Sequence, residues 1–459
     1  MVTSPLSPRG LFLLCLAAAA TTYAAPAPSP DVSVSSSSKS PRTYPIVKKR
    51  TPTRTGDDLL SWANNHRSHL QGKYGFETAT SSSSKRRDVG VAPLVNYQHD
   101  STWYATFEVG TPAKALNLVL DTGSSDIWVS ASNFTPSASS TFSNASSAFS
   151  ITYGSGAVNG YEARDTFTLA GHTVPGMPFA VATEVSSNLE DDVTSGIAGL
   201  GFQALSSANS VPFWQAANES EFSFYLQRSP STDDVTVSTG GYFTLGGTNT
   251  SLYQGDINWS NVISKTYWLI TLGGVSVADS SIDIGSTNKA AIDSGTTLIG
   301  GPESVIAAMY SKIDGASAIE GADGYYQYPC DSSVNATLTF GNQQYSLGSD
   351  QFEVAALDSS GEYCMGAFFS VGSTSASTLQ WIVGDAFLSS VYTIMQNGDT
   401  ARVGFAALAD GLNDGGASST TVARTQPATT SGAAQHKAMA AQLAVMAVLA
   451  AVVGQALLC

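Results

Sequence analysis

Two stretches of the chain, 172 residues apart, carry nearly the same text. Residues 118–124 read Leu-Val-Leu-Asp-Thr-Gly-Ser, and residues 290–296 read Ala-Ala-Ile-Asp-Ser-Gly-Thr. In each, an apolar run suited to a strand entering a core delivers an aspartate, Asp121 or Asp293, to a turn. Glycine there lets backbone amides approach the carboxylate. One Asp-[Ser/Thr]-Gly is weak, because composition alone supplies roughly 0.2 per chain of this length. The second copy is what constrains the fold. Each is followed by two small or apolar residues and a glycine: Ile197-Ala198-Gly199 ends 78 residues beyond Asp121, and Ile382-Val383-Gly384 ends 91 beyond Asp293. The economical reading is two related lobes, each contributing one equivalent aspartate.

The surrounding text is strand-like. Residues 103–109 (WYATFEV) are aromatic and β-branched, Gly110-Thr111-Pro112 turns the chain, and residues 116–120 alternate before becoming apolar. Short strands separated by Gly, Asn and Asp turns continue to about Ala409, with helices expected only over residues 57–70, 303–313 and 385–389. The expected class is all-β. With 42% hydrophobic and 12% charged residues, the 459-residue chain can bury a large core.

Net charge is −15, which argues against nucleic acid as the main partner. The charge is unevenly distributed. Residues 25–87 carry 11 basic and 4 acidic side chains, a net of +7, while residues 88–432 carry 8 basic and 32 acidic, a net of −24. A short basic segment thus precedes an acidic body that attracts it. Lys85-Arg86-Arg87, after the run Ser81 to Ser84, is the expected processing site between the two.

Both ends read as addresses. Arg9, an apolar run over residues 11–20 and Thr22-Tyr23-Ala24 make residues 1–24 a secretory signal peptide. Residues 25–87 are then a basic pro-segment, 88–262 and 263–410 the two lobes, and 411–432 a Ser/Thr-rich stalk. Residues 433–459 end in an apolar tail, read as a GPI-attachment signal accepting lipid near Ser431 or Gly432; a C-terminal membrane helix is the alternative. The expected location is outside the cell, at the surface or wall through that anchor. Of the four cysteines, Cys15 and Cys459 lie in segments expected to be removed. Cys330 and Cys364 are left to pair in an oxidising compartment, across a separation of 34 residues. Such a loop is worth roughly 3–4 kcal/mol. Six Asn-x-Ser/Thr sequons, beginning at Asn133, Asn144, Asn218, Asn249, Asn258 and Asn335, accord with a secreted glycoprotein.

Two carboxylates brought together cannot both ionise easily, so one keeps a proton over a wide acidic range. The ionised member can activate a water, and the protonated one can polarise a peptide carbonyl. Other hydrolytic chemistries lack their parts. Residues 88–432 hold only His99 and His172, no Gly-x-Ser-x-Gly, and no clustered histidines for zinc.

Over residues 94–406 the chain resembles the pepsin-like aspartic proteases, fungal secreted or GPI-anchored members included. The resemblance rests on residues 119–129 (VLDTGSSDIWV), 151–156 (ITYGSG), 243–259 (FTLGGTNTSLYQGDINW), 266–271 (TYWLIT), 292–302 (IDSGTTLIGGP), 381–387 (WIVGDAF) and 403–406 (VGFA), in family order. It implies a bilobal all-β fold with a cleft between the lobes and a water held between Asp121 and Asp293. Such dyads are that family's established acid–base device. Thr122 and Ser294 match the hydroxyl residues that cross-brace the two loops, and Ser124 and Thr296 those bonding the outer carboxylate oxygens. Tyr153, Gly154 and Ser155 match the tip of a hairpin flap over substrate, and Trp128 the indole beneath it. Cys330 and Cys364 match the second-lobe disulfide. The first-lobe disulfide is missing, and Ser294 replaces the commoner threonine.

Lys73-Tyr74 resembles the pair that many zymogens insert into the cleft, with the ammonium between the aspartates. The implied protein is an acid-activated endopeptidase acting as a monomer on polypeptides, with no cofactor and no metal. Its own pro-segment is its partner before activation. Large hydrophobic residues around the scissile bond are the first expectation for substrate. Glu190-Asp191-Asp192 in a loop keeps basic residues open, as in surface-anchored relatives of the yapsin type. The competing reading is a catalytically inactive surface adhesin or peptide binder.

Overall fold

The computed structural model describes residues 42–49, 56–74, 102–153, 156–186, 189, 193–228, 237–372 and 379–412. For residues 42–49, 57–58, 153, 156 and 237–239 it describes the backbone alone. The signal peptide, the Lys85-Arg86-Arg87 triplet, Gly154 and Ser155, the Glu190-Asp191-Asp192 loop, the stalk and the C-terminal tail lie outside the described residues. Among the described residues no helix is long and apolar enough to cross a membrane.

Strands dominate, arranged in sheets of 13, nine and four, as expected for an all-β chain of two lobes. The alternation read in the sequence sets which side chains point inward. In strand Trp103–Val109 the odd positions Trp103, Ala105, Phe107 and Val109 are buried, and its antiparallel partner Lys114–Asp121 buries Leu116, Leu118 and Leu120. Gly110 joins them at φ +85°, a conformation that favours glycine.

The sequence repeat is a repeat of topology. In the first half, strand Gly196–Gly199 runs parallel to Lys114–Asp121 and antiparallel to Ile127–Ser130, which in turn is parallel to His172–Val185. In the second half, strand Trp381–Val383 runs parallel to Lys289–Ile292 and antiparallel to Ile299–Pro302, which is parallel to Phe368–Gly372. Both lobes therefore drop an aspartate at the end of the same strand of the same four-strand arrangement. The expected helices occur at Glu303–Tyr310 and Asp385–Leu388.

The halves share one apolar core. Trp268, at the start of strand Trp268–Val277, packs among Phe202, Trp214 and Phe222, with its ring centroid 4.4 Å from that of Phe202. Its indole and that of Trp214 both donate to the Leu200 carbonyl, at 3.0 and 3.1 Å. Leu200 N–H donates to the carbonyl of Asp121 at 2.7 Å, so this aromatic knot holds the backbone that carries the first aspartate. Cys330 and Cys364 form the expected disulfide, with Cα atoms 5.0 Å apart.

Two parts of the basic N-terminal segment, residues 42–49 and 56–74, are built into the molecule. Helix Asp57–Tyr74 runs four residues beyond the expected 57–70 and carries Lys73 and Tyr74. Strand Arg42–Lys49, not anticipated from the sequence, lies inside the 13-stranded sheet, antiparallel to Val237–Leu245 on one side and Trp103–Val109 on the other. Its register slips between Pro45 and Val47. Proline has no N–H to give the ladder, and a local irregularity lets an internal strand tolerate it.

Candidate active site

The loops after Lys114–Asp121 and Lys289–Ile292 meet and lock each other. Thr122 Oγ1 donates to the Ile292 carbonyl at 2.8 Å and accepts from Ser294 N–H at 2.9 Å. Reciprocally, Ser294 Oγ donates to the Leu120 carbonyl at 2.7 Å and accepts from Thr122 N–H at 3.2 Å. These four buried bonds cross the lobe boundary symmetrically. Serine at position 294 makes the same bonds as threonine at 122, so this departure from the commoner residue costs no contact.

Each carboxylate is held in the same way. Gly123 N–H and Ser124 Oγ donate to Asp121 Oδ1 and Oδ2, at 2.8 and 2.6 Å. Gly295 N–H donates to Asp293 Oδ1 at 3.0 Å, and Thr296 Oγ1 donates to Asp293 Oδ2. Asp121 and Asp293 are only 3% and 0% exposed, and each lies within hydrogen-bonding reach of the other. The glycines are required by this closeness. A Cβ on Gly123 would overlap the Asp293 carboxylate, and one on Gly295 would overlap that of Asp121.

Lys73 sits between the pair. Its Nζ lies 3.0 Å from Asp121 Oδ1, and 3.0 and 3.3 Å from Asp293 Oδ2 and Oδ1. Tyr74 OH donates to Asp293 Oδ2 at 2.6 Å, and its ring packs 5.0 Å from that of Tyr267. Burial alone would favour the neutral amine of Lys73, but the two carboxylates outweigh it and hold the ammonium firmly charged. The carboxyls diverge. Burial, the largest influence, pushes Asp121 up, with Lys73 opposing and the charge of Asp293 adding. Burial acts likewise on Asp293 but is outweighed by Lys73 and by bonds from Asp121, Thr296 and Tyr74, which hold that carboxyl well below the usual range. Such a pair contains one group ready to be a base and one ready to be an acid.

Strands Ser143–Tyr153 and Gly156–Leu169 form the expected hairpin, with Tyr153 opposite Gly156 at its end. Trp128 is buried beneath it, packed with Phe149 and Val158 of the hairpin and with Ala180 and Ala182. The sequence reading missed Asp126, whose buried carboxylate accepts from Ser206 Oγ at 2.5 Å and from the amides of Ser207 and Ala208 at 2.7 and 3.3 Å. Its place inside VLDTGSSDIWV was the available signal. Tyr267 was also missed, although it lies within TYWLIT. So were His66 and His69 on the N-terminal helix.

The family model described as eukaryotic aspartyl protease matches residues 102–408. The chain is 37% identical over 357 residues to major aspartyl peptidase 1 of Cryptococcus neoformans var. grubii, covering 72% of this chain and 73% of that one. It is 33% identical to an aspartic protease of Phaffia rhodozyma (79% and 90% covered) and 31% identical to pepsin A of Sus scrofa (80% and 95%). With the matched region spanning both lobes and both aspartate loops, the chain belongs to the eukaryotic aspartyl protease family and is an aspartic-type endopeptidase.

Proposed function

We propose that this protein is secreted as a latent zymogen and, once its N-terminal segment leaves, hydrolyses peptide bonds in acid through Asp121 and Asp293. The observation that carries the reading is the pair of cross-braced carboxylates with Lys73 of the N-terminal helix seated between them. Departure of Lys73 and Tyr74 leaves two like carboxylates sharing one proton. The ionised member takes a proton from water as its oxygen attacks the carbonyl carbon, while the protonated member gives its proton to the carbonyl oxygen. The gem-diol then collapses, returning a hydroxyl proton to one carboxylate as the other protonates the leaving nitrogen. Thr122, Ser124, Ser294 and Thr296 hold the carboxylates in register. The hairpin ending at Tyr153, Gly154 and Ser155, supported by Trp128, closes over substrate.

A preference for large hydrophobic residues is supported by what the helix covers. Leu59, Trp62, Ala63, Leu70 and Tyr74 pack against Leu269, Tyr325, Phe369 and Val371, among others. Once the helix is gone, that apolar surface is free to take substrate side chains. Secretion and GPI anchoring rest on the sequence signals at the two ends, and the secretory reading agrees with the Cys330–Cys364 disulfide.

The test is cleavage of a denatured protein at about pH 3–5, the range set by ordinary carboxylate pKa values. Activity should be blocked by pepstatin and abolished by Asp293→Asn. A correctly processed wild-type protein that cleaves nothing would overturn the reading in favour of a peptide binder or adhesin.

A further inference from the structure

The N-terminal helix carries two histidines on the face it turns to the second lobe. His66 is the more enclosed chemically. Its Nδ1 lies 2.8 Å from the Tyr325 hydroxyl, and its Nε2 is buried with no hydrogen-bond partner. The ring stacks on Trp62 of its own helix, with centroids 4.9 Å apart at 17°, and meets the edge of Phe369 from the second lobe at 5.1 Å. A neutral imidazole suits this slot. Proton uptake would make both nitrogens donors, and Nε2–H would face apolar surroundings without an acceptor.

We infer that His66 is a proton sensor which loosens the helix from the cleft in mild acid, before the Lys73 bridge itself gives way. The inference deepens the zymogen reading and rests on it. The charged and titratable groups around His66 bear on its sign. On its own helix, His69 opposes a positive charge, and Arg67 is directed to the Ser370 carbonyl at 2.8 Å. From the lobes, Asp293 favours the charge, while the Tyr325 hydroxyl is held neutral by burial. The Trp62 face also attracts a cation. Burial outweighs these attractions and brings His66 from 6.5 down to about 3. His69 is lowered to about 4, by burial first and then by Lys73.

The docked helix therefore binds fewer protons than the released helix between those values and 6.5. Docking is at full strength above about pH 6.5 and weakens steadily as pH falls below it. At pH 5, His66 alone accounts for about a 30-fold loss of docking. The dyad responds later. Because Asp293 is held below the usual carboxylate range, stability from its bridge begins to fall only as pH drops into that ordinary range, well below 6.5, and is gone once pH passes the lowered value.

The experiment uses the full-length unprocessed protein, stepped from pH 7.5 to a series of lower values, with unmasking read by cleavage of a quenched peptide. His66→Phe keeps the ring contacts and His66→Asn keeps a polar group near Nδ1, but neither titrates in this range. Both should unmask about 10-fold more slowly at pH 5.5, with the midpoint moved down by about one pH unit. The processed enzyme, which no longer contains residue 66, should be unchanged. Unmasking at the wild-type pH in both variants overturns the inference, as does loss of latency at pH 7.5 in both. Should either variant fail to fold, second-long hydrogen-exchange pulses on the wild-type zymogen decide. Amides of residues 59–74 should begin to open below about pH 6, and protection persisting to below pH 4 removes His66 as sensor. A wild-type chain with no latency at all would instead fail the zymogen reading, and this inference with it.

Discussion

Replacing Lys73 by methionine keeps the stem and deletes the charge that holds the N-terminal helix over the dyad. In the structure the Lys73 side chain is 4% exposed and its ammonium lies 3.0 Å from an oxygen of each carboxylate. Removing one partner of so buried an ion pair strands the other, at a cost of about 3–5 kcal/mol. Here two carboxylates are stranded side by side. Asp121, already pushed up by burial, can take a proton and relieve the repulsion, which keeps the loss near the lower figure. At 1.4 kcal/mol per tenfold, the open-to-closed ratio of the helix should rise about 100-fold. The assay is binding of pepstatin to the unprocessed chain at pH 6.5, followed within seconds, beside amide exchange of residues 57–74. The variant should bind far faster and exchange faster. Equal masking in wild type and Lys73→Met would refute the reasoning. Packing of Leu59, Trp62 and Leu70 would then be what holds the helix, with the bridge contributing nothing net.

Two further perturbations probe the frame around the dyad. Gly295→Ala places a methyl group where the Asp121 carboxylate lies; a displacement of about 1 Å should lower kcat by about 100-fold, and the overlap should cost about 1–3 kcal/mol in stability. Trp268→Ala empties the aromatic knot between the halves and should cost about 3–5 kcal/mol in urea unfolding. It should also lower kcat in the surviving folded protein, because Leu200 loses one of the two indoles that steady it against Asp121. Unchanged unfolding would mean that the halves are joined elsewhere.

What could be read beforehand was what repeats or stands in local text. The convergence of Asp121 on Asp293 was legible because two similar strand-to-turn segments imply equivalent positions in two lobes. The helices at Glu303–Tyr310 and Asp385–Leu388 and the Cys330–Cys364 bridge were legible for equally local reasons. Strand Arg42–Lys49 was not, because its lysines, arginine and proline look like linker, and its strand character comes from two ladders supplied by distant residues. His66 was equally silent. Nothing in Asn-His-Arg tells that one ring nitrogen will meet a hydroxyl 259 residues away while the other meets nothing. Asp126 was passed over because its partners, the amides of Ser207 and Ala208, lie about 80 residues away in the sequence.

The seating of residues 42–49 between two strands of the body has a consequence for making this enzyme. Without them, Val237–Leu245 loses partners along its length, Trp103 and Tyr104 lose theirs, and the two strands face one another there across about 10 Å, two strand spacings. A gap in the middle of a sheet is an open seam, ready to accept any extended peptide. On the zymogen reading proposed above, residues 42–49 act as a stitch during folding while the helix acts as a plug. Refolding should begin from the whole chain, and the maturation proposed above has to supply a substitute strand if it removes residues 42–49.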